Sequence, residues 1–233
     1  MATLPVNQND LALWRDQAAA ALLFLSGARA HAAVTLPVCA IHLDADHPYI
    51  GQWPNLGVHT KNNKGANTFL LAVPELLEVV REWDAFVREK YPPMAPWYAP
   101  ISSTWGDQSL SISQVGYHRR TALNKRLTRL YERAGLSNKP PHKFRHGYAI
   151  YGLERCQTMG EYHALSRNLM HESIATTDKV YLFMEERERG NLLAGINRRN
   201  LSEPDDELRG YLSNLSKGDL LRAINLAASL LVV

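Results

Sequence analysis

Cysteine is scarce in this chain. Cys39 and Cys156 are the two present, which leaves no framework of bridges and no cysteine spacing that would hold a metal ion. A reducing compartment, the cytoplasm, is the expectation. Long apolar runs are also missing. Ala18 to Leu25 is far too short to span a bilayer, which takes roughly 20 residues, and no basic region followed by a cleavable apolar run opens the chain. A soluble protein that stays in the cell is therefore expected. Nor is there a large excess of one charge: the formal net charge is +3, too small by itself to demand a polyanionic partner. No internal repeat and no low-complexity tract occurs, so solenoids and disordered tails are not indicated.

What remains is an ordinary globular composition, 45% hydrophobic and 21% charged, in 233 residues. That length suits one large or two small domains with a substantial core. The charge is unevenly spread. Tyr117 to Arg145 holds nine Lys or Arg residues and one acid, Glu132, whereas Glu203 to Glu207 is acids and a proline only. One segment could thus face a phosphate backbone while the total stays modest. A solvated helix face is the plainer reading of such a run taken alone.

The hydrophobic pattern gives an α+β chain, mainly α. Asn7 to Asp10 resembles a cap before a helix in which Leu11, Trp14, Ala18, Ala21, Leu22 and Leu25 recur at helical spacing, with Gly27 as its stop. Arg29 follows at its exit. Between Val34 and Val73 the helical period gives way to turn signals and β-branched residues. Strands are expected near Tyr49 to Trp53, Gly57 to Lys61 and Thr68 to Val73, the last two joined by an Asn- and Gly-rich turn. Lys61 then ends a strand and Lys64 sits in the turn. Pro74 opens an amphipathic helix that stops at Pro92-Pro93, with Leu77, Val80, Trp83 and Val87 on one side. Ala95 to Ser111 reads as a loop packed on the core. A helix from about Gln114 to Ala134 carries Leu123, Leu127, Leu130 and Tyr131 as its apolar stripe. Its basic residues Arg119, Arg120, Lys125, Arg126, Arg129 and Arg133 lie mostly off that stripe. Further helices are expected from His142, from Thr158, from about Ser173 through Tyr181 and after Met184. A last one follows Ser216-x-x-Asp219, which resembles a capping box.

The chemistry concentrates between Pro140 and Tyr181. A helix starting near His142 places His142 and Arg145 on one face of its first turn, where unpaired N–H groups and the helix dipole favour a phosphate. His142 and His146 are four apart, but no glutamate intervenes as it does in a zinc-binding helix and no third ligand is evident. His171 and Tyr181 complete the set. Each alone has a plain reading as a capping or core residue.

Together, H-x-x-R-H followed by L-x-H-x-S-I-x-T-T and then a tyrosine resembles the catalytic domain of the tyrosine recombinases, or phage integrases. Arg29 in FLSGARAHAAVTLP looks like the first arginine of that family's T-G-x-R-x-x-E segment, and Lys61 in VHTKNNKGANTF falls where the family carries a hairpin lysine. The resemblance covers roughly Leu11 to Arg189. Two positions depart from the pattern. Ala32 stands where the family has an acid, and Tyr181 follows His171 by ten residues where nine is commoner.

The resemblance implies a small antiparallel sheet packed on a helical core and a catalytic domain over residues 1–200. Residues 201–233 would then form a C-terminal helical extension able to dock on a neighbouring protomer. The family's separate N-terminal core-binding domain is expected to be absent, with weak and unselective DNA binding as the result. It further implies DNA strand cleavage and rejoining by Arg29, Lys61, His142, Arg145, His171 and Tyr181. His146 would support them from behind, and Arg119, Arg120, Lys125, Arg126 and Arg129 would lie against double-stranded DNA. No metal or other cofactor is implied, and the cellular place is the cytoplasm, at the nucleoid. A type IB topoisomerase and a catalytically silent DNA-binding regulator are the alternatives.

Overall fold

Helix α1 (Leu11–Ser26) begins where the Asp10 carboxylate accepts the Leu13 N–H at 3.0 Å, satisfying one of the unpaired donors of a helix start. It ends at Gly27, in left-handed conformation at φ 60°, whose N–H returns to Leu23 O. The helix is buried on nearly every side, as expected of a central element. Its alanines at 12, 18, 19 and 21 let α3 (Pro74–Lys90), α4 (Arg119–Arg133) and α5 (His142–Leu153) pack against it. Trp14, Trp83 and Phe86 form the aromatic centre of its contact with α3, with Trp14 and Trp83 edge-to-face at 5.4 Å.

The computed structural model describes residues 10–104, 107–110 and 118–171, together with Ser216. The chain divides into two compact units, Met1–Leu182 and Phe183–Val233, and the elements described here belong to the first. After α1 a single turn, α2 (Ala30–Ala33), leads into an antiparallel sheet of order β1-β2-β3 (Ile41–His42, Tyr49–Gln52, Ala66–Phe69). Helix α6 (Met159–Asn168) follows α5. It starts in a capping box in which Thr158 Oγ1 accepts the Glu161 N–H and Glu161 accepts the Thr158 N–H. No described helix is long and apolar enough to cross a membrane.

Two buried charges fix α4 to this core. Asp16 accepts from Arg15 at 2.7 and 3.0 Å and from the Tyr98 hydroxyl at 2.8 Å, while Arg15 also donates to Ala99 O at 2.7 Å. Arg126 on α4 reaches the other Asp16 oxygen at 3.8 Å. Burying this pair is tolerable because its polar atoms are so fully engaged. The guanidinium of Arg119, also on α4, lies over the Tyr98 ring at 4.9 Å.

The sheet corrects the sequence reading in three places. No strand spans Gly57 to Lys61. Pro54, which lacks an N–H, opens a short 3₁₀ turn that closes at Gly57 with φ 80°, and Lys61–Asn63 form another in which Asn62 and Asn63 take positive φ. Strand β2 therefore pairs directly with β3, in the register Tyr49↔Phe69 through Gln52↔Ala66, and residues 53–65 form the connection. Strand β3 also stops at Phe69 rather than Val73, because the next N–H groups bond elsewhere: Leu70 to Pro48 O and Leu71 to Leu25 O, at the end of α1. Finally, part of the expected loop is a hairpin of β4 (Ile101–Thr104) and β5 (Asp107–Leu110), whose serine-rich sequence lacks the apolar alternation that announces a strand. Trp97 is a buried anchor whose indole donates to Asp84 at 3.0 Å. Trp105, Tyr181 and the expected helices beyond His171 lie outside the described residues.

Candidate functional site

Three segments distant in sequence are drawn together by the Arg145 side chain. Its Nη1 donates to Gly27 O at 2.8 Å and its Nη2 donates to Leu169 O. One guanidinium thus ties the exit of α1, which carries Arg29, to the end of α6, which carries His171. The planar fork suits this double bond. Gly27 is required on two counts: its φ is positive, and a Cβ there would lie 2.8 Å from the Tyr148 ring. Behind Leu169, Asn168 pairs with β3 as another strand would. Its Oδ1 accepts the Phe69 N–H at 2.7 Å and its Nδ2 donates to Phe69 O at 2.9 Å, as well as to the Tyr148 hydroxyl. Met170 then turns the chain through a positive φ of 52° and presents His171.

In front of this junction is an open cleft of about 510 Å³. Arg29, Lys61, Arg120, Asn124, His142 and Arg145 line it, together with His31 and His59. Among the described residues no carboxylate belongs to its wall. The irregular connection that replaced the expected strand is what carries Lys61 here, while Lys64 is exposed and takes no part in the wall. Trp53 lies over Gly65, where a Cβ would come within 2.3 Å of the ring, and its indole donates to Asn67 at 2.8 Å. That packing fixes the far end of the same connection.

Of the six sequence candidates, Arg29, Lys61, His142 and Arg145 share the wall of this cleft. His171 lies close enough to feel the charges of both arginines. Burial first, then Arg145 and Arg29, hold its pKa down to about 4, so the ring is neutral near pH 7. His146 is half-buried one helical turn from His142, its pKa lowered by burial and by Lys143 and His142. The basic helix divides into two faces. Arg120, Lys125 and Arg129 are exposed, whereas Arg119 and Arg126 turn toward Tyr98 and Asp16. Burial lowers the pKa of Arg119 to about 10, which leaves it charged at neutral pH. The sequence reading missed His31 and His59. Each stands two positions from a candidate, Arg29 and Lys61, and that proximity was the available signal. Among the described residues no three His, Cys, Asp or Glu side chains group as metal ligands.

The lowered pKa of His171 sets a stability window. An unfolded histidine takes up a proton near pH 6.5, but the folded one resists until about pH 4. Between those values the unfolded state binds more protons, so stability is full above pH 6.5 and falls as pH drops toward 4. His31, His42 and His146 are displaced in the same direction, with burial as the first cause. Urea midpoints should therefore fall between pH 7.5 and 5, and His171→Gln should flatten that decline. An unchanged slope in the variant would remove His171 as a contributor.

No protein-family model matches the sequence, and no curated protein matches it. Solved structures do. The XerA recombinase crystal structure superposes with a TM-score of 0.52 at 16% identity, covering 82% of this chain and 65% of that one. The XerH site-specific recombinase bound to palindromic difH substrate, a post-cleavage complex, gives 0.52 at 17% identity over 78% of this chain and 45% of that one. Its pre-cleavage complex gives 0.51. This chain spans less than two thirds of the length of each. The fold is that of a tyrosine recombinase catalytic domain.

Proposed function

We propose that the chain is the catalytic domain of a site-specific DNA recombinase, cleaving and rejoining strands through a 3′-phosphotyrosyl intermediate. The observation that carries this reading is a cleft lined by Arg29, Lys61, Arg120 and Arg145, with His31, His59 and His142 and, among the described residues, no acid, in a recombinase fold. Cations gathered in a concave wall attract and orient a phosphodiester.

In the proposed reaction the Tyr181 hydroxyl attacks the phosphorus of one strand. A phenol with a pKa near 10 is a poor nucleophile until a base removes its proton, and His142 accepts it. Negative charge gathers on the two non-bridging oxygens, where the guanidinium forks of Arg29 and Arg145 bind it. The neutral His171 ring gives a further hydrogen bond. The bond to the 5′ oxygen breaks as Lys61 donates a proton to it. The product is a 3′-phosphotyrosyl ester and a free 5′-hydroxyl. Attack by another 5′-hydroxyl reverses each step, so the phosphodiester energy is retained. Arg120, Lys125 and Arg129 supply the duplex-facing side of α4. The catalytic unit covers residues 1–200, and residues 201–233 dock on a neighbouring protomer, which sedimentation on DNA with and without that segment measures.

A nicked duplex that loses its short 5′ fragment after cleavage traps the ester. The wild-type chain should give a protein–DNA adduct that survives denaturation, and Tyr181→Phe should give none. No adduct from wild type, or an adduct from the variant, overturns the assignment. Relaxation of a supercoiled plasmid lacking any recombination site would redirect it to a topoisomerase.

A further inference from the structure

The wall of the cleft holds more cationic and imidazole groups than one phosphate engages. Arg29, His142 and Arg145 gather at the junction of α1 and α5, but His31 and His59 form a pair of their own. His59 Nδ1 lies 3.1 Å from His31 Nε2, and the rings meet edge-to-face with centroids 4.8 Å apart. The pair is held from behind by one hydroxyl. Thr35 Oγ1 donates to His31 O at 2.9 Å and accepts the His59 N–H at 2.9 Å, so both backbones are fixed to the same atom. Thr60, next to His59 and also in the wall, has a buried hydroxyl without a hydrogen-bond partner among the described residues. Arg120 reaches the pair from α4, close enough that its charge, after burial and His59, opposes a proton on His31.

Two imidazoles in hydrogen-bond contact share one proton between them while both are neutral, which leaves one outer nitrogen as donor and one as acceptor. A further proton turns both outer nitrogens into donors and adds a positive charge. Among the described residues the ionisable groups that share the wall with the pair are basic: Arg29 at the start of α2, Lys61 on the connection, Arg120 on α4, and His142 and Arg145 on α5. In their presence a proton added at His31 is unfavourable until an anion arrives to share it.

Resting on the nucleic-acid reading of the cleft, we propose that His31, His59 and Arg120 form a second phosphate position, one nucleotide along the strand from the phosphate held by Arg29 and Arg145. Its occupant is a backbone phosphate that is bound and not cleaved. It positions the strand, and its binding takes up a proton at the histidine pair.

Thymidine 3′,5′-bisphosphate, which carries two successive backbone phosphates on one nucleoside, is compared with thymidine 5′-monophosphate by calorimetry on the full chain at pH 7.5 and 5.5. The bisphosphate should bind about tenfold more tightly than the monophosphate, the equivalent of one added charged contact, and its advantage should widen at pH 5.5 with proton uptake. In His31→Gln/His59→Gln the monophosphate should bind as in wild type, which also reports an intact fold, while the advantage and the proton uptake disappear. An advantage that persists in the double variant overturns the second position alone. Failure of either ligand to bind, or monophosphate binding unchanged by Arg29→Ala, overturns the phosphate reading of the whole cleft and the second position with it.

Discussion

Gly27→Ala should lower the unfolding free energy by about 2–5 kcal/mol and weaken phosphate binding at the same time. The stability loss has two sources. A non-glycine residue in left-handed conformation costs roughly 1–2 kcal/mol, and Gly27 sits at φ 60°. The new methyl would also meet the Tyr148 ring at 2.8 Å and Leu169 at 3.1 Å. Tyr148 cannot swing away freely, since it is buried and bonded to Asn168, so overpacking adds on the order of 1–3 kcal/mol. Gly135→Ala separates the two contributions. Gly135 has φ 65° but open space around it, so only the backbone cost of roughly 1–2 kcal/mol should appear. Denaturant midpoints of the two variants check the difference; equal values would mean that the Tyr148 contact is soft. The binding effect follows from the Gly27 carbonyl, which accepts from Arg145. Moving it releases one end of the guanidinium, an effect Gly135→Ala should not share.

Arg145→Lys should cut the rate of adduct formation by roughly 10²–10³, the usual effect of removing one fixed donor from a developing oxyanion. It should also destabilise the fold by about 1.5–3 kcal/mol, the range for a lost hydrogen bond to a charged group. Charge is kept in this substitution, so the argument is one of geometry. Arg145 serves two carbonyls from two different segments, whereas an ammonium is a point donor on a flexible stem. Single-turnover cleavage and denaturant titration give the two quantities separately. A variant that loses stability but cleaves at the wild-type rate would make Arg145 a strut rather than a participant.

Much of this arrangement was legible in the sequence because it rests on local signals. The apolar stripe and the Gly27 stop define α1, Thr158 marks the start of α6, and Pro74 opens α3. Arg29 and Lys61 were found by their place in a family pattern, not by periodicity, and the cleft joins them to His142 and Arg145. What was not legible depends on long-range pairing. Residues 57–61 have the composition of a strand, yet Pro54 and the positive φ values at Asn62 and Asn63 turn the backbone away, and β2 finds its partner beyond them. The hairpin of β4 and β5 has too little apolar alternation to be seen. The two faces of α4 were blurred for a related reason: Arg119 and Arg126 look like solvent charges until Tyr98 and Asp16, from other parts of the chain, are brought beneath them. His31 and His59 lie in separate segments, and only folding makes them a pair.

The side chain of Asn168 mimics a peptide group, completing the hydrogen bonding of Phe69 from outside the sheet. A helix end and a strand edge are thereby clasped by two hydrogen bonds, with Leu169 and the guanidinium that holds it close behind. Any rearrangement that carries the helix away from the strand has to break both bonds. While both bonds hold, the helix end that leads to His171 keeps its place beside the strand edge.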